Sequence, residues 1–476
     1  MEDAAAPEQK LLTHRETMWI VAGVLLPVFL GSMDQTTVSS ALPSIGHALG
    51  SSSLLSWVMA ANLLTATAST PLYGKMSDIY GRRLSLLLSI GFYILGALVA
   101  ATAVNLPMLI AGRALHGLGT GGLISVPMTV LGDIVAPKYR ARYYTYFSVT
   151  YITSGFVGPI YGGFISQHLD WSVIFWSNVP MGLIAFGLVN HLLKRLPRYE
   201  RPHKLDLLGA ALIVGASSTC MFVLNIGGKA FAWSSPEIIC LSVASVLLWI
   251  GFIWRLLAAD EPLIPLSVLR NRIVFYANAS NAVGWAIVMA LNIFLPMYLQ
   301  AVHGLSPASS GLHMVGFMTA VNASALVSAQ LAGRLTHYKY PPLVTLLICT
   351  AASAYLALHA GTIDIMTFEI VAVLIGIGFG PVAPVTTVAV QNAVPLHQMG
   401  IAISTMGFIR SLLATSLVAI YGVIVLGQGG GAGVFGDRLV AAAHFQTIFI
   451  VTALGFAVSF IALALMEEKP LITKRS

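Results

Sequence analysis

Long apolar runs separated by short polar breaks dominate the chain, and a run of about 20 apolar residues is what one membrane-spanning helix requires. Fourteen such runs are read, near 18–43, 54–73, 84–104, 107–131, 143–167, 173–193, 206–226, 236–257, 273–300, 308–332, 343–360, 367–391, 400–426 and 444–466. Most breaks are a few residues long; the largest one expected on the outer side, Gly427 to Arg438, is glycine-rich. The pattern predicts an all-α polytopic membrane protein with 14 transmembrane helices: two six-helix bundles plus two extra central helices. The boundaries drawn are a cytoplasmic tail 1–17, an N-terminal bundle 18–195, a linker with the extra pair 196–272, a C-terminal bundle 273–466 and a cytoplasmic tail 467–476.

Composition agrees with a membrane location. The 476 residues are 57% hydrophobic and 9% charged, and a mean hydropathy of +0.84 is beyond what a water-soluble domain of this length tolerates. A net charge of +7 would suggest nucleic acid in a soluble protein, but here the positions of the charges decide. Of the 25 Lys and Arg, 21 fall on the side of the amino terminus; Lys229 and Arg438 fall on the other, and Arg113 and Arg410 lie within runs. That bias puts both termini in the cytoplasm, makes the number of spans even, and leaves the lipid bilayer rather than nucleic acid as the partner. Cys220, Cys240 and Cys349 are scattered in apolar segments without CxxC spacing and read as small buried hydrophobes. Acidic Glu2, Asp3 and Glu8 precede the first run and no small-residue cleavage site follows it, so 18–43 reads as a retained helix. Asn278 and Asn322 begin Asn-Ala-Ser inside expected spans, which favours a bacterial plasma membrane.

Between the second and third runs lies Gly74-Lys75-Met76-Ser77-Asp78-Ile79-Tyr80-Gly81-Arg82-Arg83, a charged, glycine-bounded loop in a chain with little charge. The glycines permit a tight turn, and Asp78 can accept hydrogen bonds from a helix N-terminus or pair with an arginine, latching helices in one of two states. The decamer resembles the loop signature of the major facilitator superfamily of secondary transporters, in which Gly74, Asp78, Gly81, Arg82 and Arg83 would form a cytoplasmic gate. A weaker copy, Gly333-Arg334-Leu335-Thr336-His337-Tyr338-Lys339, stands in register in the second half, with His337 in place of Asp78.

Asp34 is the one carboxylate placed deep inside a run. Such an acid either pairs, faces a wet cavity, or takes a proton, so it is either a proton-coupling group or a structural ion pair. Its context, Met33-Asp34-Gln35-Thr36-Thr37 continuing to Ala41-Leu42-Pro43, resembles the first helix of the fourteen-span drug:proton antiporters of the EmrB/QacA type. Arg113, His116 and Gly117 share one helix face at i, i+3 and i+4 and resemble that family's fourth-helix motif, with His116 where glutamine is more usual. An always-charged Arg113 can hold Asp34 ionised until a proton or cationic substrate arrives; a neutral, hydrogen-bonding His116 is the simpler reading of the histidine, a titrating one the alternative.

Gly158-Pro159-Ile160-Tyr161-Gly162-Gly163 resembles the fifth-helix signature of antiporters, while by spacing alone it is a helix-packing motif. In the second half, Gly376 to Pro384 leads into Gln391-Asn392-Ala393-Val394-Pro395, and Arg410 stands where the subfamily has a recurring arginine. Leu412, Leu413 and Ala414 follow it where glycines are usual. Expected contacts to substrate are Trp57, Asn62, Trp285, Asn292, Tyr298, Phe317, Asn322 and Arg410, with Asn281, Phe294, Gln300 and Phe408 on the same spans; aromatic and amide groups suit amphipathic ligands.

No Walker-type GxxxxGK[ST], HExxH or convincing GxSxG sequence occurs. The resemblance implies a secondary transporter rather than an enzyme: a proton-coupled efflux antiporter for lipophilic cationic or neutral drugs, functional as a monomer, with protons as coupling ion and no other cofactor or metal. The rivals are a dedicated exporter of one metabolite, siderophore or lipid, and, further off, an intramembrane enzyme.

Overall fold

The computed structural model describes residues 14–49, 55, 57–135, 137–195, 206–228, 231–332, 335, 337–426 and 438–470. Most of the glycine-rich segment from Gly427, most of the basic stretch 194–204, and Gly333, Arg334 and Thr336 of the second loop copy lie outside the described residues.

The described residues are organised as helices. The first six are α1 (His14–Leu49), α2 (Trp57–Tyr80), α3 (Arg82–Ala101), α4 (Leu106–Ile134), α5 (Pro137–His168) and α6 (Val173–Leu192). They pack on one another, with α1 against α5 and α6 and α4 against α2 and α3. A hairpin follows, α7 (Leu207–Ile226) and α8 (Pro236–Ala258), then the short α9 (Leu266–Arg270). The second bundle is α10 (Arg272–His303), α11 (Pro307–His313), α12 (Val315–Ala332), α13 (Tyr340–His359), α14 (Ile365–Phe379), α15 (Val382–Ala393), α16 (Met399–Leu426) and α17 (Arg438–Leu465).

Local chemistry sets the ends. The Asn105 side chain accepts from the Met108 amide ahead of Pro107, Ser235 accepts from Ile238 ahead of Pro236, and Asp364 accepts from Thr367; each satisfies an amide that a helix N-terminus leaves free. Gly304, at φ 68, closes α10 in the left-handed region. The expected loop from Gly74 to Arg83 is helical except at Gly81, since α2 runs on to Tyr80 and α3 starts at Arg82; Gly81, at φ 87, alone turns the chain, in a conformation that disfavours a side chain.

Among the described residues, twelve helical segments are long and apolar enough to cross a membrane. The two expected spans missing from that set are α2 and α5. Both are long enough, at 24 and 32 residues, but α2 carries Asn62, Lys75 and Asp78, and α5 carries Tyr143, Tyr144 and Tyr151. Polar and phenolic groups that face other helices lower the mean hydropathy of a segment while leaving its length unchanged. The apolar face of α8 is open, with Ile239, Val243, Leu247, Ile250, Trp254 and Leu257 exposed, as suits a surface bathed by lipid tails. Its partner α7 packs on both α2 and α16, so the hairpin covers a seam between the bundles.

Candidate functional site

Asp34 sits in mid-helix on α1 and is buried. Arg113 of α4 donates from Nη1 to its Oδ2 at 2.7 Å, and Asn178 of α6 donates to its Oδ1 at 3.3 Å. The Nε2 of His116 stands 3.6 Å from Oδ1, and neither ring nitrogen of His116 has a hydrogen-bond partner. The Tyr93 ring meets the imidazole edge-on at 4.0 Å between centroids. Arg113 is positioned further by its Nε, which donates to Val58 O at 3.1 Å, and by the Phe175 ring 5.7 Å from its guanidinium carbon. The structure therefore brings Asp34, Arg113 and His116 together inside one bundle. Such a cluster can hold a carboxylate in its charged form and offers a second basic group near the carboxylate's other oxygen. Asn178 and Tyr93 were not singled out from the sequence; their signal was only a polar atom within an apolar run.

Close helix packing makes this possible. A Cβ at Gly117 would run into Asn62 and Thr65 of α2, and one at Gly158 or Gly162 into Thr36 or Thr37 of α1. The glycine pattern of α5 thus lets α1 approach, whereas Pro159 is exposed and a Cβ at Gly163 would meet nothing.

The second constellation lies at the end of the molecule that bears most of the Lys and Arg. Asp78 accepts from the amides of Gly400 and Ile401 at the start of α16, at 3.0 and 2.8 Å, and pairs with Arg82. Arg82 also donates to Asp133 Oδ2 at 2.7 Å, to Ser77 at 2.9 Å and to Leu396 O at 3.2 Å. Gly74 is needed because a Cβ there would strike Ser404 and the Gly400 carbonyl. Arg83 does not reach the second bundle; it donates to Asn190 of α6. Two partners were not foreseen: Asp133, an acid at the end of α4, and Arg140 of α5. Arg140 is buried, donates to Val135 O at 2.7 Å and to Gly132 O, and crosses to Gln391 of α15 at 3.1 Å. The connector between α8 and α9 joins in, since Lys75 Nζ donates to Pro262 O at 3.4 Å. A cavity of about 320 Å³ lies there, lined by Lys75, Asp78, Asp260, Glu261 and His397 among others.

The expected substrate contacts divide. Trp57 packs on Phe222 of the extra hairpin, with ring centroids 4.6 Å apart. Asn62 is buried at the contact of α2 with α4, its amide nitrogen unpartnered. Tyr298 and Phe317 lie within the core of the second bundle rather than on an open face. Tyr298 donates to Ala360 O at 2.6 Å and is enclosed by Phe368, Phe445 and Phe449. Asn292 and Asn322 direct their amide donors to their own helices, at Val288 O and Met318 O. Trp285 and Arg410 are together, the guanidinium carbon 4.6 Å from the ring centroid.

Two helical bundles of this arrangement, tied at one end by an aspartate in the last turn of α2 and carrying an acid within a span, define a transporter fold. The chain matches the family model described as Major Facilitator Superfamily over residues 24–419, and it belongs to that superfamily. It is therefore a membrane transporter and not an enzyme. It is similar to the multidrug transporter protein MdtP of Bacillus subtilis (strain 168), 28% identical over 425 residues covering 88% of this chain and 77% of that one. It is also similar to the efflux pump dotC of Dothistroma septosporum, 30% identical over 418 residues covering 85% of this chain and 70% of the other. A solved bacterial homologue of the iron transporter ferroportin, in an outward-facing state, shares the fold at a TM-score of 0.64 and 13% identity, over 94% of this chain and 98% of that one.

Proposed function

We propose that this chain is a proton-coupled efflux antiporter that moves amphipathic, lipophilic drugs outward by alternating access, with 14 transmembrane helices of which α2 and α5 are the two more polar. The observation that carries the reading is the buried cluster of Asp34, Arg113, His116 and Asn178. An acid held in the membrane by a permanently charged arginine exchanges a proton only when its surroundings change, and alternating access changes them. Support for export comes from relatives named as multidrug transporter and efflux pump and from the resemblance of the Gly158–Gly163 segment to antiporters.

In this reading the membrane is a bacterial plasma membrane, both termini are cytoplasmic, and the unit that works is the monomer. The end latched by Asp78, Arg82 and Arg140 is then the cytoplasmic one, and the arrangement described is closed to the cytoplasm. Asp34 is loaded with a proton from outside; the inward-facing state releases it as the drug binds, and the drug leaves outward.

The test is proton release from purified protein on adding amphipathic dyes of cationic, neutral and anionic charge, comparing wild type with Asp34→Asn. Release in wild type and none in the variant is expected, together with loss of proton-driven transport by about 100-fold or more, the scale of removing an essential proton-transfer group. Equal proton release and transport in Asp34→Asn would overturn the coupling.

A further inference from the structure

We propose that Arg410, stacked on Trp285 between the two bundles, is an anion-binding subsite, so that the preferred cargo carries a carboxylate, sulfonate or phenolate on a lipophilic aromatic body. The inference rests on the transport reading above and narrows its substrate class.

Arg410 lies 11 residues into α16, which begins at Met399; at about 1.5 Å per residue that places it about 16 Å from the latched end, close to the middle of a hydrocarbon core of about 30 Å. Its guanidinium lies over Trp285 of α10, and the ionisable group that interacts with it electrostatically is the phenol of Tyr151 on α5, in the other bundle. The group thus faces the seam that alternating access opens and closes.

What distinguishes it is the missing counter-charge. No ion pair joins Arg410 to an acid among the described residues, and its Nε is buried without a hydrogen-bond partner. Asp34, the acid buried in the first bundle, is held by Arg113 and Asn178. Arginine does not discharge by losing its proton, and an indole face offsets only a small part of what removing its charge from water costs. A guanidinium left with two or more free donors, beside an aromatic plate, is built to receive a planar oxyanion attached to a ring. A lipophilic cation at the same place would meet repulsion, which departs from the cationic or neutral cargo expected from the sequence.

Tetraphenylborate and tetraphenylphosphonium test this, being nearly identical in shape and opposite in charge. Their binding to purified protein in phosphatidylcholine nanodiscs is measured by titration calorimetry, with empty nanodiscs subtracted. Wild type is expected to bind the borate at least about tenfold more tightly than the phosphonium, the scale of a charge reversed within about 6 Å in a medium of intermediate dielectric. Arg410→Gln should abolish the preference and Arg410→Lys should retain part of it. Equal or tighter phosphonium binding in wild type, no binding of either probe, or an unchanged ratio in Arg410→Gln would overturn the proposal. If the glutamine variant does not elute as a folded monodisperse species, the wild-type ratio and the lysine variant decide. Asp34→Asn separates this from the coupling: it should lose proton release while keeping the anion preference.

Discussion

Arg113 and Arg410 each lie within a long helix, one in either bundle, and their surroundings are opposite. The first is fully enclosed and pairs with Asp34 at 2.7 Å. The second leans on the Trp285 ring and has no acid beside it among the described residues. The same contrast runs through the two loop copies. Asp78 of the first reaches across to the amides of Gly400 and Ile401, whereas His337 of the second pairs with Glu468, just beyond α17 of its own bundle, at 3.1 Å. Lys339 and Tyr338 likewise bond to 464–469. The two bundles do different electrostatic work: the first holds a closed charge pair and throws the latch, and the second presents an open cation and receives it. An arginine and a turn are therefore not functional by type; what each does depends on whether an acid or a helix end faces it.

The largest effect that would break this comparison comes from unpairing the closed site. Arg113→Met strands the Asp34 carboxylate in a buried place, with an expected loss of about 3–5 kcal/mol, seen as a collapse in the yield and melting temperature of purified protein. The double variant Asp34→Asn, Arg113→Met should recover part of that loss, because the stranded charge is then gone; no recovery would mean that Arg113 acts through packing alone.

Next in size is the latch. Asp78→Ala removes the acceptor of two amides and one guanidinium, at about 1.5–3 kcal/mol for hydrogen bonds to a charged group. It should shift the population toward opening at the basic end by about 10- to 100-fold, read as faster thiol labelling of a cysteine placed at Ser404, which a closed seam protects. Smaller still, Gly162→Ala should destabilise by about 1–3 kcal/mol, since its Cβ would meet the Thr37 carbonyl, while Gly163→Ala, with nothing near its Cβ, should stay within about 0.5 kcal/mol. Thermal melts of the two neighbours check the pair. The smallest effect is expected at the second loop copy: His337→Ala changes an exposed contact worth about 0–1 kcal/mol and should leave thiol labelling at Ser404 at the wild-type rate. A change as large as that of Asp78→Ala would remove the asymmetry between the copies.

Much of this was legible in the chain. The apolar runs mark the helices, the decamer from Gly74 to Arg83 marks where the chain turns, though the turn itself is Gly81 alone, and Asp34, Arg113 and His116 stand out because charge and imidazole are costly in a membrane. Other parts were not legible. Nothing in the run 173–193 separates Asn178 from the other polar residues there, and Asp133 and Arg140 read only as charges at helix ends. Tyr298 and Phe317 look like any aromatic residue on a cavity-lining span, yet they fill the core of a bundle.

The sequence by itself determined which segments leave water, where the chain turns, and which few residues carry charge into the membrane, because transfer to lipid is a property of one segment at a time. Tertiary structure decided the pairings: Asp34 meets a guanidinium 79 residues away, Asp78 meets amides 322 and 323 residues away, and Arg410 meets a ring instead of an acid. Those are relations between distant positions, set by how helices with small residues at their contacts can approach, and no local pattern of polarity contains them.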